Sequence, residues 1–316
     1  MIPPAGPHGG DGLAVAAALG IDPAEVVDLS QSLNPFAPDV AALVAQHLHA
    51  VGRYPDATAA TSALAEAMGV DPDRLVLTNG GSEAITLVAG ALGGRVADEP
   101  EFSLHPRGDA GPRWRSNPNN PSGLLAPPGD RADVWDEAFY PLATGRWTRG
   151  DDGVVVVGSL TKLFACPGLR LGYVLAENAE RLTQAQPAWP VNGVALAVLP
   201  DLLEGADLPG WHRRIADQRR ALADLLAEHG LVAAPSDAPW VLVDSPSLRE
   251  RLAPHGVVVR DCTSFGLPGV VRIAVPDDHG LDRLADALTR GRRPPSRPAV
   301  PDREDLGRAT QIRGPI

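Results

Sequence analysis

Residues 154–173, VVVVGSLTKLFACPGLRLGY, contain the stretch of the chain that decides its fold. Four consecutive valines between Gly153 and Gly158 predict a short strand that is buried on both faces, as in a parallel sheet. Lys162 follows this strand, with hydroxyl side chains three and one residues before it and an arginine eight residues after it. Surface loops rarely combine these residue types, so the segment predicts a functional group at the end of a buried strand.

Lys162 is the only lysine of the chain, and every other cationic side chain belongs to an arginine or a histidine. Arginine can replace lysine wherever only charge is needed. It cannot replace an amine that must lose its proton and attack a carbonyl, because the pKa of a guanidinium stays above about 12. The single lysine therefore indicates a nucleophilic amine.

Three other segments carry groups that fit the same chemistry. Residues 74–78 predict a strand that enters a Gly-Gly turn, with a helix from Ser82. Residues 117–123, NPNNPSG, predict a rigid polar turn, and residues 134–139, VWDEAF, resemble a strand end that carries a carboxylate at Asp136. Their order and spacing, taken together with the lysine, are far more specific than any one segment alone.

Pyridoxal phosphate is the cofactor that these groups suit. A carboxylate at Asp136 would keep the pyridine nitrogen protonated, so that the ring accepts electrons released at the substrate carbon. Asn120 would donate a hydrogen bond to the phenolate oxygen of the ring, and the phosphate dianion suits a helix N-terminus beside hydroxyl and guanidinium groups. We predict Lys162 and Asp136 as the catalytic residues. The predicted cofactor contacts in these segments are Gly81, Ser82, Asn120, Asp136, Ser159, Thr161, Lys162 and Arg170.

The composition limits the class of protein. The 316 residues include 28 Lys and Arg against 39 Asp and Glu, a formal net charge of −11, which argues against a protein whose main task is to bind nucleic acid phosphates. The two cysteines, Cys166 and Cys262, exclude a disulfide framework and a multi-cysteine zinc site. The chain has no signal-like N-terminus and no apolar run of membrane-spanning length, so we expect a cytoplasmic protein.

Apolar periodicity predicts further elements along the chain. The predicted helices are residues 40–48, 60–68, 211–229 and 281–288, and the predicted C-terminal strands are residues 240–243, 257–260 and 270–275. We divide the chain into an N-terminal segment that closes over the active site, a large cofactor-binding domain, a small α+β domain and a tail that is disordered because it is rich in Pro and Arg without periodicity. These parts are residues 1–35, 36–190, 191–290 and 291–316.

With its motifs in this order, the chain resembles fold-type-I pyridoxal-phosphate enzymes of the histidinol-phosphate aminotransferase-like group. The resemblance extends from about residue 8 to residue 290. The matching segments are Arg53-Tyr54-Pro55-Asp56, Asn79-Gly80-Gly81-Ser82-Glu83-Ala84, NPNNPSG, Asp136-Glu137-Ala138-Phe139, SLTKLFACPGLRLGY and Val271-Arg272-Ile273. The resemblance implies an α/β, aspartate-aminotransferase-like large domain with a mainly parallel sheet, and a smaller α+β C-terminal domain. It also implies a homodimer, in which Tyr54 would reach the cofactor phosphate of the partner subunit.

Within this group, two N-terminal segments resemble the threonine-phosphate decarboxylases of cobalamin biosynthesis. These segments are His8-Gly9-Gly10 and Leu33-Asn34-Pro35, and Phe139, where the aminotransferases usually have tyrosine, is compatible with them. The resemblance implies decarboxylation of O-phospho-L-threonine to (R)-1-amino-2-propanol O-phosphate. An aminotransferase of the histidinol-phosphate or aromatic type is the alternative. A further alternative is a degenerate protein that binds pyridoxal phosphate but has little turnover.

The predicted substrate contacts favour a small phosphorylated amino acid. Arg272 occupies the position that binds the substrate α-carboxylate in the family, and Arg260 would supply a second cation. The resemblance places His8, with the backbone of the following two glycines, against the substrate phosphate. Asn34 and Asn192 are further polar candidates for this pocket.

The sequence departs from the family pattern between residues 100 and 136. The aromatic residue that stacks on the cofactor usually follows a Pro-Thr pair, whereas residues 100–105 read PEFSLH, which leaves Phe102 or His105; His105 matches the spacing better. Residues 106–116 span a gap that usually contains a helix and a strand, and the gap from Asn120 to Asp136 is also short. The large domain could therefore be missing an element.

Overall fold

The computed structural model describes residues 2–291, so the predicted tail beyond Gly291 lies outside the described residues. The helices are α1 (Gly12–Leu19), α2 (Val40–Gln46), α3 (Thr58–Met68), α4 (Gly80–Leu92), α5 (Tyr140–Thr144), α6 (Leu160–Leu163), α7 (Ala179–Ala185), α8 (Gly193–Glu204), α9 (Leu208–Glu228), α10 (Leu248–Leu252) and α11 (Asp278–Arg290). The strands are β1 (Val27–Leu29), β2 (Leu75–Asn79), β3 (Arg95–Val96), β4 (Arg113–Ser116), β5 (Val134–Asp136), β6 (Val155–Ser159), β7 (Leu171–Leu175), β8 (Trp240–Asp244), β9 (Val257–Asp261) and β10 (Val270–Ala274). Within the described residues, none of the helices is long and apolar enough to cross a membrane.

A six-stranded sheet, in the order β2-β7-β6-β5-β4-β3, organises the larger part of the molecule. Strands β3 to β6 are parallel, whereas β7 runs antiparallel to both of its neighbours, β2 and β6. The prediction of a mainly parallel sheet is confirmed. The valine strand β6 is buried on both faces, as predicted, but it is parallel only to β5, because β7 runs antiparallel to it after a short connection.

Alternate residues of the strands pack on opposite faces of this sheet. Leu77, Trp135 and Val156 belong to a hydrophobic cluster with α3 and α8, whereas Val134 and Val157 belong to a second cluster with α4 and α7. Helices therefore cover both faces. The carboxyl ends of β4, β5 and β6 lie at one edge of the sheet, where loops can surround a ligand.

A four-stranded sheet, in the order β1-β9-β10-β8, forms the second core. The N-terminal strand β1 pairs parallel with β9, and the other pairings are antiparallel. Helix α9 connects the two cores, since Ile215 packs in the first cluster and Leu222 and Leu226 pack in the second. The first hydrophobic cluster contains residues on both sides of the predicted domain boundary, including Val191, α8 and Ile215. The division of the chain between residues 190 and 191 therefore stays a prediction.

The predicted helices and strands are present, with several starting earlier than the apolar pattern suggests. Asp207 accepts a hydrogen bond from the amide of Gly210 at 2.9 Å and begins α9 at Leu208. Asp277 caps α11 in the same way, with the amide of Gly280 at 2.8 Å. These aspartates are N-caps, which satisfy amides of the first turn and so extend a helix beyond its apolar stripe.

The shortened part of the chain forms little regular structure. Residues 97–112 are all described, and they contain neither a helix nor a strand. Residues 106–116 contribute only β4, and the stretch from Asn120 to Asp136 contributes only β5. The helix that usually fills the first gap is thus absent from these residues, whereas a strand is kept there.

Candidate active site

A cavity of about 400 Å³ opens at the carboxyl ends of β4, β5 and β6. In open α/β sheets, ligands bind in this position. Residues from the N-terminal segment, from the larger sheet and from the C-terminal sheet line it together. The predicted residues in its lining are His8, Gly81, Ser82, Asn120, Asp136, Ser159, Thr161, Lys162, Arg170 and Arg272.

Lys162 lies on the single-turn helix α6, directly after β6. Leu160 and Leu163 on the same turn are buried in the core, which leaves the amine of Lys162 at the cavity wall. Burial, together with the nearby cations Arg272 and Arg170, lowers the pKa of Lys162 to about 8, although Asp136 opposes the shift. A lysine with a lowered pKa has more free amine at neutral pH and is a better nucleophile.

An anion site adjoins this amine at the start of α4. No side chain caps this helix, so the amides of its first turn are available to a ligand. The guanidinium of Arg170 lies so close to Gly80 that a Cβ there would collide with it, and the hydroxyls of Ser159 and Thr161 are 2.7 Å apart beside them. A helix N-terminus with a cation and hydroxyl groups is suited to a phosphate dianion.

Asp136 is fixed at the end of β5 by hydrogen bonds to both carboxylate oxygens. Its Oδ1 accepts from the amide of Ala138 at 3.0 Å, and its Oδ2 is 2.9 Å from Nε2 of His105. The remaining lone pairs of the carboxylate are free to serve a ligand, since Asp136 lines the cavity. The group is therefore held in place before any ligand binds.

Phe102, and not His105, lines the cavity. The His105 side chain is fully buried behind Asp136, and its ring lies nearly perpendicular to that of Phe102, with the centroids 5.7 Å apart. The spacing argument that favoured His105 as the stacking aromatic does not agree with this arrangement. His105 is instead occupied by the carboxylate of Asp136, and the aromatic wall of the cavity is Phe102.

Asn120 and Arg272 join the two sheets at the cavity. Nη1 of Arg272, on β10, donates to Oδ1 of Asn120 at 2.7 Å, and the amide of Asn120 donates to Oγ of Ser116 at 2.8 Å. Burial lowers the pKa of Arg272 to about 10, which leaves it charged at neutral pH. The side-chain amide of Asn120 therefore turns its oxygen toward the arginine and keeps its NH₂ group for a ligand.

The N-terminal segment contributes His8, Gly9 and Gly10 to the lining, but Arg260 does not reach it. The buried guanidinium of Arg260 donates to the carbonyl oxygens of Gly6 and Pro7, directly before His8. Arg260 was predicted to bind substrate. In the structure its Nη1 and Nη2 groups donate to these backbone carbonyls and to Oγ of Ser264, so it holds the segment that presents His8.

Asn34 and Asn192 also lie outside the lining, because their amides complete backbone hydrogen bonds. Nδ2 of Asn34 donates to the carbonyl of Leu163 at 2.9 Å, which braces α6 from behind. Asn192 is the N-cap of α8, accepts from the amide of Ala195 at 2.8 Å and donates to the carbonyl of Leu169. Both asparagines support the site without facing it.

Tyr54 does not line the cavity of its own chain. Its side chain is 79% exposed and stacks on Trp189, which is 57% exposed, with 4.6 Å between the ring centroids.

Sequence reasoning missed the polar run Ser30, Gln31 and Ser32, which lines the cavity. Oγ of Ser32 is buried without a hydrogen-bond partner among the described residues. The signal was present, since these residues directly follow β1 and polar side chains at a strand end often face a ligand. It was missed because β1 is only three residues long.

The groups around this cavity fit pyridoxal phosphate. The anion site at α4 suits its phosphate, Lys162 suits its aldehyde, Asp136 suits its ring nitrogen, and the Asn120 NH₂ group suits its phenolate oxygen. Phe102 supplies an apolar wall for the ring.

Lys162 can be tested directly because the chain has no other lysine. We expect the cofactor-free protein to react with pyridoxal phosphate at a rate that rises with pH through about 8, where the ammonium loses its proton. Borohydride trapping and mass spectrometry of peptides should then find a pyridoxyl group on Lys162, separate from any adduct on the N-terminal amine. The variant Lys162→Arg, which keeps the charge, is the control. A wild-type protein with no pyridoxyl group on Lys162, or a rate of labelling at Lys162 that is independent of pH in this range, would contradict the assignment.

Comparison with known proteins finds a matching family and similar proteins. Residues 115–288, more than half of the 316 residues, match the family model described as aminotransferase class I and II. Histidinol-phosphate aminotransferase 1 of Dechloromonas aromatica (strain RCB) is 26% identical, over 87% of this chain and 92% of that protein.

Two solved structures illustrate the likeness in fold. Histidinol-phosphate aminotransferase from Sinorhizobium meliloti, in complex with pyridoxal-5'-phosphate, is 18% identical with a TM-score of 0.74, over 88% of this chain and 94% of that chain. L-threonine-O-3-phosphate decarboxylase from Porphyromonas gingivalis is 22% identical with a TM-score of 0.68, over 83% of this chain and 98% of that chain. The likeness confirms the predicted aspartate-aminotransferase-like architecture. With the family match covering more than half of the chain, the protein belongs to the class I and II aminotransferase family.

Proposed function

We propose that the protein decarboxylates O-phospho-L-threonine to (R)-1-amino-2-propanol O-phosphate. It is an enzyme of the aminotransferase family, and its cofactor is pyridoxal phosphate. The observation that carries the narrower proposal is the position of His8, which lines the same cavity as Lys162 and lies beside Phe102, with 6.3 Å between the ring centroids. An N-terminal histidine in the cavity supplies a group for a second anion beyond the cofactor phosphate.

The residues around the cofactor site have separable tasks. When bound, pyridoxal phosphate withdraws electrons from the substrate α-carbon. Asp136 would hold a proton on the ring nitrogen, and Arg170 with the first turn of α4 would hold the cofactor phosphate. Lys162 would bind the cofactor through its amine, whose pKa in the cofactor-free protein is lowered to about 8, and the same amine would exchange a proton with the α-carbon.

The two anionic groups of the substrate would bind to residues from opposite ends of the sequence, the α-carboxylate to Arg272 and the phosphate to His8. Arg272 uses Nη1 on Asn120, and its Nε has no partner among the described residues, so it has donors left for the α-carboxylate. His8 and the amide of Gly9 would bind the substrate phosphate. The amide of Gly10 is already donated to Oγ of Ser30 at 2.8 Å, so it is not part of this phosphate site.

The orientation of the substrate decides which reaction follows. Bound pyridoxal phosphate would supply the electron sink for whichever bond is broken at the α-carbon. For decarboxylation the bond to the carboxylate would break, carbon dioxide would leave, and the Lys162 amine would supply the proton added at the α-carbon. Anchoring the phosphate at His8 and the carboxylate at Arg272 sets this orientation in our proposal.

Amino transfer from histidinol phosphate is the second candidate. It is favoured by the names of the relatives, which include the histidinol-phosphate aminotransferases of Dechloromonas aromatica and Sinorhizobium meliloti. The same cavity residues would serve it, with the bond to hydrogen broken and the amine passed to a 2-oxo acid.

Incubation with O-phospho-L-threonine in the absence of any 2-oxo acid separates the candidates. We expect carbon dioxide and phosphorylated aminopropanol in equal amounts. The variant His8→Ala should raise KM about tenfold or more, as expected for the loss of a hydrogen bond to a charged group. His279→Ala, which removes an exposed histidine outside both the cavity lining and the surface around Tyr54, is the matched control. Absence of carbon dioxide, with amino transfer from histidinol phosphate to 2-oxoglutarate, would refute the decarboxylase, and absence of both would indicate the degenerate alternative.

We further propose that a second copy of the chain covers the exposed apolar surface around Tyr54. This surface consists of Leu48, Val51, Tyr54 and Trp189, each more than half exposed. Exposed apolar patches of this kind mark interaction surfaces. A partner placed there would bring Tyr54 toward the cofactor phosphate of the neighbouring subunit, as the family resemblance implies.

The dimer can be tested by sedimentation. We expect the wild type to sediment as a dimer and Trp189→Asp to shift toward the monomer, because the substitution places a charge in the covered surface. Val232→Asp, at an apolar side chain that is 84% exposed in the C-terminal part, should remain dimeric. A monomeric wild type, or equal behaviour of the two variants, would overturn the proposal.

A further inference from the structure

Asp28 is a carboxylate outside the cavity lining that the proposed function does not use. It lies in the middle of β1 and pairs in parallel register with Val258 of β9, which is fully buried. The C-terminal sheet therefore fixes the backbone of Asp28. Residues 30–32, which follow it directly, all line the cavity, so its side chain lies close to the site without facing it.

Four hydrogen bonds converge on the Asp28 carboxylate. Its Oδ1 accepts from the amide of Ser30 at 3.0 Å and from the hydroxyl of Ser30 at 2.5 Å. Its Oδ2 accepts from the amide of Gly12 at 3.0 Å and from Nε2 of Gln31 at 2.8 Å. The N-cap residue of α1 gives this helix no side-chain hydrogen bond. The carboxylate of Asp28 thus joins the start of α1 to the polar residues that follow β1.

The hydroxyl of Ser30 extends this contact to the glycine turn after His8. Its Oγ accepts from the amide of Gly10 at 2.8 Å and from the amide of Asp11 at 3.4 Å. A hydroxyl group has one proton and two lone pairs, and a backbone amide can only donate. Because the proton of Ser30 is donated to Asp28, its lone pairs are left for the two amides. Ser30 is 1% exposed, so bulk water does not replace these bonds.

The turn after His8 also packs closely against the end of β1. Gly9 has a φ of +76°, and a Cβ at this position would lie 2.6 Å from the carbonyl oxygen of Ser30. On the other side of His8, Arg260 holds the two preceding backbone carbonyls. The backbone is therefore fixed on both sides of His8, whereas its imidazole is exposed at the cavity wall.

We propose that Asp28 is a positioning residue for the substrate phosphate, which acts by orienting the Ser30 hydroxyl and so fixing the turn that presents His8. This inference rests on the proposed function, in which His8 and the amide of Gly9 bind that phosphate. Without the carboxylate, the hydroxyl proton can turn toward the amide of Gly10, and the contact that holds the turn is lost. Ordering the turn would then be paid for when the substrate binds, which weakens binding.

Amide hydrogen exchange tests this anchor without turnover. The measurement uses the full chain with pyridoxal phosphate and resolves single amides of the N-terminal peptide. Asp28→Asn replaces one acceptor oxygen by an NH₂ group, so we expect exchange at Gly10 and Gly12 to be about tenfold faster. In Ser30→Ala, which keeps the carboxylate, only Gly10 should exchange faster. Asp277→Asn, at an aspartate that also accepts the amide of a first-turn glycine, is the matched control and should change neither rate.

Steady-state kinetics show whether Asp28 acts through the phosphate site. In Asp28→Asn we expect KM for O-phospho-L-threonine to rise about tenfold with little change in kcat, because the cofactor contacts are untouched. KM of the double variant His8→Ala/Asp28→Asn should stay within about threefold of that of His8→Ala. Independent effects would instead multiply to about a hundredfold over the wild type.

Unchanged exchange at Gly10 in Asp28→Asn and in Ser30→Ala overturns the inference, as does an effect of Asp28→Asn on KM that multiplies fully with that of His8→Ala. Should Asp28→Asn fail to fold, Ser30→Ala decides by the same two measurements. A wild type that releases no carbon dioxide refutes the proposed function, whereas faster exchange at Gly10 and Gly12 in the same protein still supports the anchoring of the turn by Asp28.

Discussion

The burial of a single amine among charged groups is the constraint on which the rest of this structure depends. The amine of Lys162 is buried at the end of β6, which lowers its pKa. The cations of Arg272 and Arg170 also lower this pKa, whereas Asp136 raises it. These groups come from both sheets, so the pKa of Lys162 is lowered in this way only when the two sheets are correctly placed. The hydrogen bond from Arg272 to Asn120 is one of the contacts that fix this placement, together with the bond from Nε1 of Trp240 to the carbonyl of Pro121.

Much of this site was predictable because its residues sit at strand ends, where the sequence pattern is strong. Val157 of the valine strand, Lys162 and the carboxylate Asp136 all line the cavity. The predictions for Arg260, Asn34 and Asn192 differ from the structure for a shared reason. Their donors satisfy backbone carbonyls, and residue type alone does not reveal which carbonyls will need a partner.

The segment around residue 105 shows a second limit of sequence reasoning. Spacing favoured His105 for the cofactor ring, but the direction of a side chain in an irregular segment depends on what packs behind it. Ser116, at the end of β4, holds Glu101, and the carboxylate of Asp136 takes the imidazole of His105, so Phe102 remains to form the wall. Although residues 97–112 contain no helix, Phe102 and Leu104 of this segment still line the cavity.

In our proposal the N-terminal segment links substrate choice to the C-terminal sheet, because Arg260 on β9 holds the backbone before His8 and Ser30, directly after β1, holds the amide of Gly10. The most direct test is a crystal structure with pyridoxal phosphate and an unreactive analogue of O-phospho-L-threonine. We predict the cofactor phosphate at the first turn of α4, the substrate phosphate at His8 and the α-carboxylate at Arg272. A substrate phosphate bound at Arg272, with His8 turned away from the ligand, would contradict the account.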